Sequence, residues 1–255
     1  MKQQKKIGVV LLAAGKGTRM NSNMPKVLIP VAGEAMILRT MAAIEAASFG
    51  TKPVVVVGYK GKLVERVVGK RARFALQKRQ LGTGHAVAAA MPFLKGKVDQ
   101  VIVAYGDHPF LTANMLRQLA ALQQRTGAAM ALTTVLVPDY RGVRQIFYRW
   151  GRIERDTTSR FVRRCSEYKD ATVAQRKIRE VNSGQYCFNA AWLWRTLPKL
   201  ERKNAQREYY LTDLMALAVS DGERVVPLVL KDWRHGIGAN TQREVLLADR
   251  LARQQ

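Results

Sequence analysis

The feature that most constrains the fold is the alternation of short aliphatic runs with segments of helical periodicity along the first half of the chain. The aliphatic runs contain few polar residues, which is typical of strands buried on both faces of a parallel sheet. The intervening segments repeat apolar residues at helical spacing. This alternation predicts βαβ units and an α/β fold with a doubly wound sheet, which we expect to be mixed. The predicted strands are residues 9–12, 54–57, 101–104 and 131–137, and the predicted helices are 36–46, 86–91 and 115–122.

The second half of the chain predicts a more mixed set of elements. Residues 151–167 indicate an extended or hairpin insertion. A helix is expected to begin near Thr212, because the apolar residues around it repeat with helical spacing. Asn240 is a candidate cap for a terminal helix. The other predicted elements are a short helix at 172–179, strands at 180–188 (ending in Asn189) and 225–230, and terminal-helix apolar positions at Val245, Leu246 and Leu251.

No linker rich in proline, glycine and serine divides the chain. We therefore expect one domain over residues 1–239 with an inserted lobe at about 140–215, followed by a C-terminal helix at 240–255. No apolar run approaches the roughly 20 residues that a membrane span needs, so a span is excluded. Cys165 and Cys187 lack the spacing of a metal site or a disulfide framework, which indicates a reducing compartment and makes the cytoplasm the default location.

The charge of the chain is unusually positive. It has 43 Lys and Arg against 19 Asp and Glu, a formal net charge of +24, while 47% hydrophobic residues exclude wholesale disorder. Such a field would steer anionic substrates and could hold nucleic acid without sequence specificity. A solvated basic surface is the simpler interpretation, because no RRM or KH motif is present.

A glycine-rich loop follows the first predicted strand. Gly15 and Gly17 allow backbone N–H groups to approach an anion closely, and Arg19 and Lys26 add positive charge suited to a polyphosphate. The loop matches neither the GxxxxGK[ST] nor the GxGxxG pattern. Taken alone, it is equally compatible with an ordinary strand-to-loop turn.

Six further segments follow this loop along the chain: QKRQLGTGHA (77–86), YGD (105–107), GRI (151–153), EYKDA (167–171), EVNSG (180–184) and NAQREYYLTD (204–213). In type and order, the loop and these segments resemble the sugar nucleotidyltransferases. The similarity is to the uridyltransferase domain of the bifunctional bacterial N-acetylglucosamine-1-phosphate uridyltransferases, and it covers about residues 7 to 247.

The resemblance implies a role for individual residues. Asp107 and Asn240 would hold Mg²⁺, and Arg19, Lys26 and Asp107 would act directly on the reacting phosphates. The residues implied at the nucleotide are Leu12, Ala13, Ala14, Gly15, Gln77, Gly82, Thr83, Tyr105 and Gly106, of which Gln77, Gly82 and Thr83 would read the uracil. Those implied at the sugar are Gly151, Glu167, Asn182, Tyr210 and Thr212.

The implied reaction is attack by the phosphate of N-acetylglucosamine-1-phosphate on the α-phosphorus of UTP. The products would be pyrophosphate and UDP-N-acetylglucosamine, a precursor for peptidoglycan and cell wall synthesis. Mg²⁺ takes one or two protein oxygens and completes its shell with water and phosphate oxygens, which a carboxylate and an amide can satisfy. The reaction needs positioning and charge neutralisation more than a covalent nucleophile.

The sequence departs from the family in two places. The family's second domain, an acetyltransferase β-helix of hexapeptide repeats, has no counterpart, so we expect no acetyltransfer, no trimer built by that domain, and a monomer or weak oligomer. Arg149 and Trp150 precede Gly151 where the family usually has Gly-Tyr. This departure leaves open a different sugar-1-phosphate as the acceptor.

Simpler interpretations of single residues also stay open. The whole chain could be a catalytically idle, basic nucleic-acid-binding protein on the same fold. Asp107 could cap a turn, Asn240 could cap a helix, and Glu167 could pair with surface arginines. Tyr209 and Tyr210 could be core aromatics, and His85, His108 and His235 are expected to be packing or loop residues.

Overall fold

The computed structural model describes residues 5–17, 20 and 23–254, and this part of the chain contains strands and helices in alternation. The strands are β1 (Ile7–Ala13), β2 (Pro30–Val31), β3 (Glu34–Ala35), β4 (Val54–Val57), β5 (Arg73–Leu76), β6 (Gln100–Tyr105), β7 (Met130–Leu136), β8 (Arg152–Arg155), β9 (Val162–Ser166), β10 (Glu180–Asn189) and β11 (Val225–Val229). The α-helices are α1 (Met36–Ala47), α2 (Gly61–Val68), α3 (Thr83–Ala89), α4 (Met91–Leu94), α5 (Ala113–Thr126), α6 (Val173–Arg176), α7 (Ala190–Thr196), α8 (Leu214–Ser220) and α9 (Gln242–Ala252).

The main sheet has the strand order β11-β7-β10-β6-β1-β4-β5. Its strands are parallel except β10, which runs antiparallel to both of its neighbours, β6 and β7. β8 and β9 form an antiparallel hairpin that joins the start of β10, where Arg152 pairs with Val181. The sheet is therefore mixed, as predicted for the fold class.

Helices cover both faces of this sheet because its strands are apolar on both sides. Along β1, Val10 and Leu12 pack into one apolar cluster, while Val9, Leu11 and Ala13 pack into another. The first cluster is completed by residues of α3, α7 and α8, and the second by residues of α1 and α5. This arrangement confirms the doubly wound α/β architecture.

The carboxyl ends of β1 and β6 lie side by side, because Leu12 pairs with Tyr105 in parallel register. β10 runs the other way, so its first residues lie beside the same end of β6. The register of β10 shifts between Asn182 and Tyr186, and Gly184 in this irregular stretch has φ +85°. A Cβ at Gly184 would lie 3.2 Å from the side chain of Tyr105, so this close approach favours glycine.

Several predicted boundaries need correction. Asn240 is not the cap of α9, because Thr241 Oγ1 accepts the Glu244 N–H at 3.3 Å. The helical segment predicted to begin near Thr212 or just before it opens with a 3-10 turn at Leu211–Asp213, and the α-helix α8 follows from Leu214. The inserted lobe at 140–215 is not confirmed, since β10 lies inside that range and is a central strand. The 239/240 boundary stays a prediction.

Two further observations bear on the sequence-based expectations. Cys165 and Cys187 are buried free thiols, and burial raises the pKa of both. In the described part of the chain, no helix combines the length and the apolar character that crossing a membrane requires.

Candidate active site

A cavity of about 470 Å³ opens at the carboxyl ends of β1 and β6, beside the start of β10. It is lined by nearly all of the described residues that the sequence singled out. Gly106 is not among them; its N–H donates to Leu12 O at 2.9 Å behind the wall. Arg19 lies outside the described residues. The predicted residues in the wall are Leu12, Ala13, Ala14, Gly15, Lys26, Gln77, Gly82, Thr83, Tyr105, Asp107, Gly151, Glu167, Asn182, Tyr210, Thr212 and Asn240.

At one end of the cavity, the ammonium of Lys26 joins the two predicted metal ligands. Its Nζ donates to Asn240 Oδ1 at 2.7 Å and to a carboxylate oxygen of Asp107. The backbone adds a second link, because the Ala239 N–H donates to Asp107 O at 2.9 Å. Glu244 Oε2 accepts the Asn240 N–H at 2.5 Å, which fixes the residue that carries the amide. Residues far apart in the sequence are thus held together around one positive charge.

This end of the cavity fits a hard divalent cation. The carboxylate of Asp107 and the amide oxygen of Asn240 both bond one cationic nitrogen, so the two oxygens already converge on a point of positive charge. No group of three or more His, Cys, Asp or Glu side chains suited to a metal occurs among the described residues. Two protein oxygens match Mg²⁺, which keeps water and phosphate oxygens in the rest of its shell.

The charge of Asp107 is maintained by its neighbours. Burial alone would raise the pKa of its carboxyl, but the charge and hydrogen bond of Lys26, together with the nearby His108, hold that pKa below the ordinary value. The residue is only 4% exposed. A buried carboxylate that stays ionised is the form that a metal ligand requires.

A second part of the wall is a loop made rigid by backbone and amide contacts. Gln77 is buried, and its Nε2 donates to Gly82 O and lies 3.0 Å from His85 Nδ1. Gly82 has φ +113°, and a Cβ there would lie 2.6 Å from the backbone N and O of Tyr209. Only glycine fits this position. The packing fixes the loop before any ligand binds.

Thr83 connects the loop around Gly82 to the segment after Tyr209 by a hydrogen bond. Its Oγ1 accepts the Leu211 N–H at 2.9 Å, and the Gly84 N–H donates to Tyr209 O at 2.8 Å. In the loop after β1, the Tyr59 N–H donates to Ala14 O at 3.2 Å. The glycine-rich loop and the loop around Gly82 are therefore both held by backbone hydrogen bonds.

The predicted sugar residues form the opposite wall. The Thr212 hydroxyl donates to Glu167 Oε1 at 3.0 Å, and none of the arginines that the structure describes pairs with Glu167. The Asn182 N–H donates to Gly151 O at 2.9 Å, and Asn182 Nδ2 donates to the Tyr186 hydroxyl at 2.7 Å. These bonds place carboxylate, hydroxyl and amide groups along one side of the cavity.

Gly151 and Tyr210 complete this wall. A Cβ at Gly151 would lie 2.5 Å from Cys165 Sγ, so the backbone must pass without a side chain. The Tyr210 hydroxyl donates to Asp170 Oδ2 at 3.4 Å, and the residue is buried in the wall. Burial raises the pKa of this hydroxyl, which keeps it protonated as a donor.

The acidic groups around Glu167 influence one another. Burial raises the pKa of Glu167; the hydrogen bond from Thr212 lowers it, and the charge of Asp213 raises it further. Asp213 is itself partly buried, and burial together with the charge of Asp170 raises its pKa to about 6. This wall is therefore an acidic cluster in which burial and mutual repulsion raise the pKa of Glu167 and Asp213.

Replacement of Asp213 by asparagine is expected to stabilise the fold at neutral pH. A carboxyl with a raised folded-state pKa contributes stability below its unfolded value of about 3.8, and that contribution is lost as pH rises through about 6. Asp213→Asn has no such loss, so its free energy of unfolding should exceed that of the wild type at pH 7 and match it near pH 4. Urea unfolding at both pH values measures this difference.

Asp221→Asn, at the other end of α8, is the matched control for this substitution. Asp221 faces Lys199 at 3.5 Å on the surface. Asp221→Asn should show no comparable gain in the free energy of unfolding at pH 7. An unchanged or lower stability of Asp213→Asn at pH 7 would refute the raised pKa.

The structure also adds residues that sequence reasoning missed. Several of these residues lie inside the segments that carry the family resemblance and could have been found there. Glu244, four positions after Asn240, lies outside those segments, and no sequence pattern marked it. His108, expected to be a packing residue, is buried in the wall, with Gln185 Nε2 2.7 Å from its Nδ1. The added wall residues are Val27, Gln80, Ala86, His108, Gly184, Tyr186, Gln206, Glu208, Thr241 and Glu244. Arg149 and Trp150, which the sequence marked as departures beside Gly151, also line the cavity.

Comparison with known proteins finds relatives that match nearly the whole chain. The bifunctional protein GlmU of Heliobacterium modesticaldum is 41% identical over 249 residues, covering 96% of this chain and 52% of that protein. GlmU of Brevibacillus brevis is 40% identical over 238 residues, covering 92% of this chain and 49% of that protein. The chain thus spans about half the length of these curated relatives.

A solved structure shares the fold. It is described as a putative glucose-1-phosphate thymidylyltransferase from Bacillus anthracis, in complex with a sucrose; it superposes with a TM-score of 0.77 at 18% identity and covers 98% of this chain and 96% of its own. The model of the MobA-like NTP transferase domain matches residues 9–217. The chain therefore belongs to the MobA-like NTP transferase family, which confirms the resemblance to nucleotidyltransferases.

Proposed function

We propose that the chain transfers a uridylyl group from UTP to N-acetylglucosamine-1-phosphate. The observation that carries the proposal is that three groups of residues, distant in sequence, line one cavity: the loop after β1, the pair Asp107 and Asn240, and the wall that contains Glu167 and Asn182. A nucleotide, a metal-bound phosphate and a sugar would occupy these three parts in turn. The identity of about 40% with GlmU proteins supports this assignment.

The buried amide of Gln77 and the rigid loop at Gly82 and Thr83 suit a planar base. Uracil presents an acceptor, a donor and another acceptor along one edge, which amide and backbone groups can match. The loop needs no rearrangement, because its hydrogen bonds to Tyr209 and Leu211 are already made. Such preorganisation reduces the entropy cost of binding.

At the phosphates, this chain's residues provide charge and position. Asp107 and Asn240 would hold Mg²⁺, which supplies positive charge for the α-phosphate and for the departing pyrophosphate. Lys26 Nζ lies within hydrogen-bond distance of both side chains and would donate to phosphate oxygens beside the ion. The backbone at Ala14 and Gly15 borders the same space and suits an anion.

The acceptor would be held for in-line attack. One of its phosphate oxygens forms a bond to the α-phosphorus, the bond from that phosphorus to the bridging oxygen breaks, and pyrophosphate leaves. Glu167, Asn182, Thr212 and the backbone of Gly151 offer acceptors and donors for sugar hydroxyl and acetamido groups. Holding the two reactants together accounts for much of the rate increase in such reactions.

The test is pyrophosphate release by the purified chain with UTP, N-acetylglucosamine-1-phosphate and Mg²⁺. We expect turnover with UTP above that with ATP, GTP and CTP, and loss of turnover after chelation of the metal. A panel with glucose-1-phosphate, glucosamine-1-phosphate and N-acetylgalactosamine-1-phosphate measures the acceptor preference. Turnover with another of these acceptors would replace the sugar assignment, and no turnover with any pair would refute the proposed reaction.

A further inference from the structure

The charge of the cavity wall differs from that of the whole chain. The wall residues that the structure describes include the four carboxylates of Asp107, Glu167, Glu208 and Glu244, against the cations of Lys26 and Arg149. The chain as a whole carries +24. A sugar phosphate entering this space brings further negative charge, so its phosphate requires a cation in the wall.

Within the described wall, Arg149 is the arginine or lysine side chain that remains available. Lys26 already donates to Asp107 and Asn240. Arg149 is exposed at the cavity, and among the described residues its guanidinium has no hydrogen bond or ion pair. A guanidinium presents a planar fork of donors that matches phosphate oxygens.

The backbone on both sides of Arg149 is held in place. The fully buried guanidinium of Arg152 donates to Tyr148 O at 2.6 Å and also to Trp150 O. The same guanidinium lies 4.7 Å from the ring centre of Tyr140. Hydrogen bonds therefore hold the carbonyls before and after Arg149, so the backbone that carries this side chain is more constrained than a free loop.

The backbone at Arg149 lies between Asp107 on one side and the wall at Gly151 and Asn182 on the other. The Trp150 ring is 5.8 Å from the ring of His108, whose Nε2 is 3.8 Å from Asp107 Oδ1. On the other side, Gly151 O accepts the Asn182 N–H. The phosphate of a sugar phosphate must occupy the same interval, since it joins the sugar to the α-phosphorus during transfer.

We propose that Arg149 binds the phosphate group of the acceptor sugar phosphate. The inference rests on the proposed function and adds a residue to the acceptor site. It explains how a wall rich in carboxylates admits a doubly charged acceptor. Arg149 is then a determinant of acceptor binding and contributes little to binding of UTP.

The test compares Arg149→Gln with Arg66→Gln. Arg66 is exposed on α2, away from the cavity, so its substitution removes the same charge from the overall field. We expect Arg149→Gln to raise KM for the acceptor about tenfold or more, the effect of losing one charged hydrogen bond, with KM for UTP changed less than about threefold. Arg149→Lys should recover part of the loss, and Arg66→Gln should behave as wild type.

Calorimetric binding without turnover supplies a second readout. Arg149→Gln should weaken binding of N-acetylglucosamine-1-phosphate and leave binding of unphosphorylated N-acetylglucosamine unchanged. The proposal would be overturned if Arg149→Gln lost affinity equally for both ligands, or if Arg66→Gln lost as much affinity as Arg149→Gln. It would also be overturned if the effect were limited to acceptors with a second anionic group on the ring. If the enzyme is active and Arg149→Gln leaves acceptor KM and acceptor binding unchanged, this inference alone is refuted. If the wild type binds no sugar phosphate, the proposed function is refuted as well.

Discussion

Replacement of Asp107 by asparagine is expected to reduce uridylyl transfer about a thousandfold or more. The amide preserves the size of the side chain but removes the charge that would hold Mg²⁺ and that now bonds Lys26. Because asparagine keeps an oxygen that can accept from Lys26, the fold should remain intact. Steady-state pyrophosphate release gives the loss in kcat, and thermal unfolding verifies the fold.

Asp99→Asn is the matched control, because Asp99 lies just before the opposite end of β6 and accepts the Lys6 N–H at 2.8 Å. It removes the same charge far from the cavity and should leave turnover near that of the wild type. Substantial activity in Asp107→Asn, or an equal loss in Asp99→Asn, would contradict the role proposed for Asp107.

The part of the site at the ends of β1 and β6 could be predicted from the sequence. Both strands are uninterrupted apolar runs, and the carboxyl ends of parallel neighbours meet at one edge, where ligands bind in such sheets. The loop at Gly15 and the carboxylate of Asp107 follow these strands directly. Local pattern and topology therefore locate this half of the cavity, while the role expected for Asp107 came from the family resemblance.

Contacts between distant segments could not be derived in the same way. Lys26 and Asn240 are 214 positions apart, and nothing in the local sequence around either residue indicates that they bond. Only the resemblance to a family suggested Asn240 as a ligand, while helix-capping chemistry suggested a different role for it. The cap is Thr241, which leaves the Asn240 side chain free to face Lys26.

Among the elements that the sequence did not predict, β5 and α2 lie at the edge of the main sheet. β5 begins with an exposed arginine and ends with Leu76, which is 58% exposed, so its pattern does not resemble a buried strand. α2 starts after Lys60, whose positive φ of +48° replaces the usual capping side chain. The basic residues in this region suggested a charged surface and obscured the strand and helix beneath it.

Replacement of Lys26 by methionine is expected to reduce activity by two to three orders of magnitude and to destabilise the fold. Without the ammonium, the carboxylate of Asp107 stays buried without its cation, which costs about 3 kcal/mol when a buried pair loses one member. Activity falls because the phosphates lose a charged donor, about 10²-fold or more. Urea unfolding and pyrophosphate release measure the two effects.

The same variant tests whether Lys26 occupies the position of the metal ion in the free protein or is only a structural partner of Asp107 and Asn240. Because Lys26 occupies both metal-ligand oxygens in the free protein, a cation must displace it there, whereas in Lys26→Met the two oxygens are open. Millimolar Mg²⁺ should therefore raise the Tm of Lys26→Met more than that of the wild type.

Lys62→Met is the matched control, because it removes the exposed pair with Glu65. Its free energy of unfolding should fall by less than about 1 kcal/mol, and Mg²⁺ should shift its Tm no more than that of the wild type. If Mg²⁺ shifts the Tm of Lys26→Met no more than that of the wild type, Asp107 and Asn240 do not form the metal site.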